Sequence, residues 1–337
     1  MKTNRQTKMM INCKVYDSIT AAFASAYVPG KEVVIDEGMI RWFGCGFKTY
    51  LPSKRAKYGM KAYKVCDKSG YTFKFQLYVG HSEYSDLQHS VMHLMDGLLD
   101  YGRMLYMDNF YNSPELAFKL YKCKTHVVGT LRMTRKGVPK DLKDVKMKKG
   151  DVEFRTCPPM TVLVWRDKRN VNVISTMHDA SVAPVPGKLD KVSGQPILKP
   201  TAIQDYNKYM GAVDKSDQMV LLNTTVRKTL KWTKKLFFHL LDLSATNAFI
   251  VYQLQGGRWN HFRFAKSLCK ELLSAATDDP DYVKPRKAGR FSSATEARLQ
   301  CRDSPHRPVQ VPSTLKTKSA MRACAVCKSH TPSKVYI

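Results

Sequence analysis

Acidic residues are scarce in this 337-residue chain: 28 Asp and Glu face 56 Lys and Arg, a formal net charge of +28. Charge of one sign on that scale works against the compact state by self-repulsion. It therefore argues against an ordinary enzyme of small metabolites and points to a polyanionic partner, nucleic acid first. A basic surface without a partner stays open on composition alone. A membrane surface fits poorly, because the basic residues are spread along the chain and do not flank an apolar anchor.

Long hydrophobic runs are missing too. The most apolar segment, Leu236 to Leu254, contains His239, Asp242, Ser244, Thr246, Asn247 and Gln253. That is too polar for an unaided membrane span and reads as a buried helix. The opening residues, MKTNRQTKMMINCKVYDS, lack the apolar stretch of a secretory signal. Nine cysteines, an odd number widely scattered, do not make a disulfide framework, so a reducing compartment, cytosol or nucleus, is expected. No internal repeat is visible. What the chain does have is 43% apolar and 10% aromatic residues, enough for a real core.

The pattern along the chain predicts an α/β architecture. A helix over Tyr16 to Tyr27 stops at Pro29-Gly30, and Val33-Val34-Ile35 reads as a buried strand. Two more strand candidates follow, in KAYKVCD and in the alternating GYTFKFQLYVG. Helical spacing of Val91, Leu94, Met95, Leu98 and Leu99 comes next. A short strand, Met104 to Met107, ends in Asp108-Asn109, and Ser113-Pro114 opens a helix with Pro at its first position. HVVGTLR is a further strand. Residues 132 to 170 are dense in Lys and Arg, and Trp165 is expected to start a strand pair ending in VNVISTMHD. Ala180 to Lys199, rich in Pro and Gly, reads as a loop. A long helical stretch begins near Tyr206, breaks between Thr224 and Thr229, and resumes from Trp232 to Leu254. Beyond about residue 275 the composition is that of a linker.

Cutting a phosphodiester without a covalent protein intermediate commonly uses two divalent cations about 4 Å apart. Mg²⁺ takes oxygen ligands, so such a site needs carboxylates converging from different elements. Asp36 follows the first buried strand, and Asp108 closes a later one. Asp214 and Asp217 are three apart and share a face if their segment is helical. Taken alone, an Asp at a strand end or helix start is more often a cap or turn residue.

The surrounding stretches resemble the piggyBac family of transposases and transposase-derived proteins, from about residue 16 to residue 327. The matching segments are YVPGKEVVIDEGMIRWFG, LPSKRAKYGMKAYKVCD, YMDNFYNSPELAFKL, VVGTLRMTRKGVP and VISTMHD. They continue with KPTAIQDYNKYMGAVDKSDQM and KWTKKLFFHLLDLSATNAFIVY. The resemblance implies a metal-binding triad of Asp36, Asp108 and Asp214, with Asp217 as a further acidic residue of the same site. It implies a ribonuclease-H-like catalytic domain with an insertion, and Mg²⁺ or Mn²⁺ as cofactor. The implied reaction is strand cleavage at transposon ends and joining to TTAA target DNA in the nucleus; a second copy of the chain, as a homodimer, is a candidate partner, and no membrane is involved.

The domain expectation is correspondingly specific. Residues 1–30 are read as a remnant of an N-terminal helical region, and 31–131 as the first part of the catalytic domain. Residues 132–200 form a basic insertion region, 201–275 the C-terminal helices, 276–322 a linker and 323–337 a Cys-rich zinc module. Relative to the family the chain reads as truncated at both ends. Cys324 and Cys327, with His330 nearby, supply fewer than the four ligands of a closed structural zinc site, so Zn²⁺ is not expected. Smaller departures are Cys45 between Gly44 and Gly46, and Ala212 beside Gly211.

Basic residues divide into those near a shared motif, Arg132, Arg135 and Lys136, and a basic-aromatic patch, Arg227, Lys228, Lys231, Trp232, Lys234 and Lys235. Both are candidates for DNA phosphates, which position a duplex without specifying sequence. Lys284 to Arg290 reads as a solvated run with nuclear import as the alternative. His178 beside Asp179 reads as structural. Two functional classes stand side by side: a metal-dependent transposase core, or a derivative that binds DNA or a partner transposase without cutting. A non-functional remnant is the third.

Overall fold

A computed structural model describes residues 14–44, 48–52, 54, 56–78, 86–189, 194–225, 227, 229 and 231–278. By its internal contacts the chain divides into two units, Met1–Glu271 and Leu272–Ile337. The described part of the second is the end of one helix. The partial zinc module at Cys324 and Cys327 and the run from Lys284 to Arg290 lie outside the described residues.

Helix α1 (Lys14–Ala26) leads into β1 (Glu32–Arg41), β2 (Thr49–Tyr50), β3 (Tyr58–Asp67) and β4 (Thr72–Leu77). Helix α2 (Leu87–Met95), β5 (Met104–Met107), α3 (Pro114–Lys122) and β6 (His126–Thr130) follow. Then come β7 (Val152–Cys157), β8 (Met160–Arg166), β9 (Asn170–Ser175), β10 (Val182–Leu189) and β11 (Pro196–Pro200). The last elements are α4 (Thr201–Tyr209), α5 (Ala212–Leu222), α6 (Trp232–Leu254) and α7 (His261–Thr277).

One mixed sheet organises this material, in the order β2-β3-β1-β5-β6-β9-β8-β7, with β4 also on β3. Strands β1, β5 and β6 run parallel, whereas β3 is antiparallel to β1 and β9 antiparallel to β6. β1 lies inside the sheet, between β3 and β5, and its Val33, Val34 and Ile35 have no exposed surface. Side chains alternate across a strand. Val33, Ile35, Leu105 and Met107 therefore join Val91, Leu94, Leu116 and Leu120 of α2 and α3 on one face. Val34, Met104, Tyr106 and Val128 meet Ala212 and Val213 of α5 on the other. Farther along β1, Ile40 and Trp42 pack with Phe23 of α1, Val220 of α5 and Leu236, Leu240 and Leu243 of α6.

Local signals set several boundaries. Ser113 caps α3 by accepting a hydrogen bond from Leu116 N, with Pro114 at the first helical position. β5 and α6 begin and end where the sequence pattern puts them.

Three expectations are corrected. Trp165 does not start a strand; it is the next-to-last residue of β8, whose buried run Val162-Leu163-Val164 lies before it. The segment expected as a loop holds the β10–β11 ribbon, which pairs Val182 with Pro200 and Pro184 with Leu198. Proline hides such a strand in sequence, because it cannot donate to a ladder, but a two-stranded ribbon has free edges that tolerate it. The helical stretch starts at Thr201, not near Tyr206, and is interrupted at Met210-Gly211 before α5.

Candidate active site

The register of β1 against β5 builds the site. Ile35 pairs with Met107, so the next residues, Asp36 and Asp108, follow the last pair of the parallel register. Asp108 comes just past the carboxyl end of β5, whereas Asp36 does not close its strand but sits in the middle of β1, which runs on to Arg41. In alternation both fall on the face that α5 covers. Asp214 lies in the first turn of α5, and its carboxylate comes to the same place as that of Asp36. The ammonium of Lys54 bridges them, 2.8 Å from Asp36 Oδ2 and 2.8 Å from Asp214 Oδ1.

The environments differ. The Asp36 side chain is 14% exposed and that of Asp214 55%. Burial pushes the Asp36 carboxyl up to about 7 against the pull of Lys54, and a hydrogen bond shared with Glu37 adds to the rise. Burial would raise Glu37 as well, but the bond with Asp36 and the Lys61 ammonium, 3.0 Å away, hold it below the usual carboxylate range. Burial also raises Asp108, more than its backbone N–H partners lower it. Asp108 Oδ1 accepts from Phe110 N at 2.8 Å, so this residue shapes its own turn. Asp36 and Asp108 both act on Tyr111 and Tyr206, whose hydroxyls burial drives upward, Tyr206 to about 12.

Asp217 points elsewhere. One oxygen accepts from Lys64 Nζ at 2.6 Å and the other from Met39 N at 3.1 Å. Lys64 has no exposed side-chain surface, so this pair pins α5 to β3 and β1. Among the described residues, no three His, Cys, Asp or Glu side chains are grouped closely enough to enclose a metal ion. Carboxylate oxygens are the donors a hard cation takes; here Asp36 and Asp214 share the Lys54 ammonium, and Asp108 follows the residue that pairs with Ile35.

The Asp108 turn is held from several sides. Asn112, fully buried, donates through Nδ2 to Met107 O at 2.9 Å and Thr130 O at 3.0 Å. Lys61 lies 4.6 Å from the centroid of Phe110. Arg132 Nε donates to Asn109 Oδ1 at 3.2 Å, and Arg135 to Phe110 O at 2.5 Å. Two residues of the first basic group are thus tied to the turn carrying Asp108, with Lys136 exposed beside them.

In the second basic group Arg227, Lys231 and Lys234 are exposed, while Lys228 lies outside the described residues. Trp232 is half-buried against the α1–α6 core. Lys235 lines a cavity of about 490 Å³ with Met39, Phe43, Asp217 and His239. His178 braces a loop: its Nδ1 meets Ser175 Oγ at 3.1 Å and its Nε2 lies 3.5 Å from Asp205. Ser175 is fully buried and accepts from the backbone of Met177 and His178, so this Ser-His-Asp alignment is architectural.

Sequence reasoning missed Lys54, Glu37, Lys64 and Asn112. Lys54 and Lys64 sat in the quoted LPSKRAKYGMKAYKVCD stretch, but no spacing rule singles a bridging lysine out of so basic a chain.

Against known proteins, the family model described as Transposase IS4 matches residues 2–249. The chain belongs to this family, in its piggyBac-type branch. The human PiggyBac transposable element-derived protein 3 is 25% identical over 235 residues, 65% of this chain and 40% of the relative. The human Chimeric ERCC6-PGBD3 protein is 25% identical over the same length, 22% of that protein. The match thus spans less than half the length of these curated relatives. The structure of a piggyBac transposase synaptic complex with hairpin DNA superposes with a TM-score of 0.67 at 24% identity. That comparison covers 94% of this chain and 70% of the other, and it shows a shared mixed α/β fold. No described helix of this piggyBac-type chain is long and apolar enough to cross a membrane.

Proposed function

We propose that this chain is a metal-dependent DNA strand-transfer core that cleaves at transposon ends and joins them to TTAA targets. The observation that carries the reading is the convergence of Asp36 and Asp214 on one cation position beside Asp108. The sheet order β4-β3-β1-β5-β6, with β1, β5 and β6 parallel, supports a ribonuclease-H-like core.

Asp36, Asp108 and Asp214 would hold Mg²⁺ or Mn²⁺. When bound, the metal supplies activation of the attacking oxygen and stabilisation of the leaving one. The chain's own residues do the rest. Asp217, fixed by Lys64 and Met39 N, holds α5 so that Asp214 faces the strand ends. Asn112 and Glu37–Lys61 hold the turn that aims Asp108. Arg132, Arg135 and Lys136 border that turn and are suited to seat a phosphate backbone, with Arg227, Lys228, Lys231, Trp232, Lys234 and Lys235 as the second contact region. Action on transposon DNA puts the chain in the nucleus, and a homodimer is the natural unit for bringing two ends together.

The deciding experiment is strand nicking of labelled duplex containing TTAA, with Mg²⁺ or Mn²⁺, by the natural chain and by Asp108→Asn. Metal-dependent nicking that vanishes in the variant is expected. Salt-sensitive DNA binding without nicking in either protein would replace the reading by that of a DNA-binding derivative.

A further inference from the structure

Two lysines face the acidic cluster, and they are built differently. Lys64 lies within β3, has no exposed side-chain surface and is closed in over Gly38, where even a methyl would lie 2.6 Å from its Cε. Lys54 lies outside the strands, between β2 and β3, with its side chain 15% exposed. Its four-carbon stem can swing the ammonium away without moving a strand; that of Lys64 cannot.

Resting on the reading above, we propose that Lys54 is a built-in counter-ion that holds Asp36 and Asp214 together and that a divalent cation enters this site by exchanging with it. Two carboxylates brought to one point repel unless a positive charge lies between them. Solvent can serve Asp214, which is largely exposed, but serves the mostly buried Asp36 poorly. The Lys54 ammonium meets that need with one short contact to each partner. A divalent cation held by Asp36 and Asp214 would draw on the same two carboxylates that the ammonium contacts, so the two cations compete. Divalent metal affinity is therefore set by a difference, metal–carboxylate attraction less the lysine pairing it displaces.

The test is Mn²⁺ binding followed by the paramagnetic resonance signal of free Mn²⁺, on the natural chain, Lys54→Met and Lys68→Met. Lys68 pairs with Glu32 at an exposed position, so its variant removes the same formal charge without opening the site. Lys54→Met is expected to bind Mn²⁺ about tenfold more tightly than the natural chain, the scale of one lost neighbouring charge. Lys68→Met is expected to match the natural chain. Metal-free Lys54→Met should melt at a lower temperature and recover on adding Mn²⁺. Lys54→Gln, which keeps a hydrogen-bond donor, should show the same tightening and serves if the Met variant folds poorly. Equal or weaker Mn²⁺ binding in the Lys54 variants overturns the exchange but leaves the carboxylate site standing. Absence of Mn²⁺ binding in every protein removes both.

Discussion

Gly38 and Lys64 are fitted to each other. A Cβ built on Gly38 would lie 2.6 Å from Lys64 Cε, 2.8 Å from Cδ and 3.2 Å from Asp217 Oδ1. The lysine tip is flexible in principle, but it is fully buried and fixed to Asp217. Gly38→Ala is expected to destabilise the chain by roughly 1–3 kcal/mol, the usual cost of overpacking, and to loosen α5. Urea denaturation measures the first effect, and hydrogen exchange across residues 212–222 the second. A stability equal to that of the natural chain would mean that the pair relaxes freely.

Asn112 joins the ends of β5 and β6 through one amide group. Asn112→Ala leaves the carbonyls of Met107 and Thr130 without this donor in a buried place. A loss of roughly 1–3 kcal/mol is expected, together with reduced nicking, because the turn that aims Asp108 loses its tie. Full stability in denaturant would contradict the role given to the amide.

Asp36 titrates in the folded chain near 7, above its ordinary value near 4 in the unfolded one. Below about pH 4 both states hold the proton and Asp36 costs nothing. As pH rises, the unfolded state loses its proton first, so stability falls through that window and levels off above 7. Asp36→Asn removes this contribution and should flatten the stability profile between those values. Denaturation midpoints across the window test it, and an unchanged slope in the variant counts against it.

Lys231 and Lys234 are exposed near the start of α6. If both meet phosphates, replacing them by Ala lowers the slope of log affinity against log salt by about one per lysine. Binding should weaken similarly on any duplex sequence. Fluorescence anisotropy in a salt series gives the slope, and a value unchanged from the natural chain would assign DNA to another face.

Much of the chain was legible beforehand because its signals are local. The β-branched run Val33-Val34-Ile35, the Ser113-Pro114 cap and the apolar rhythm of Trp232 to Leu254 each declare an element within a few residues. The β10–β11 ribbon was not legible, since proline erases the strand signal and few of the ribbon's side chains are buried. The aspartates were found as residue types at strand and helix ends, but their inequality was hidden. Asp217 differs from Asp214 in the partner that faces it and in burial, neither of which a spacing of three residues records.

By itself the sequence determined the composition of the core, the order of most elements and the places where Asp36, Asp108 and Asp214 could project. Periodicity and capping depend on neighbours in the chain. Only the tertiary structure decided that α5 covers the face of β1 carrying Asp36, and hence that Lys54 reaches Asp214 across 160 residues and Met39 N meets Asp217 across 178. Those pairings depend on the side of the sheet against which a distant helix packs. That choice is set by the summed burial of many side chains, and no local pattern records it.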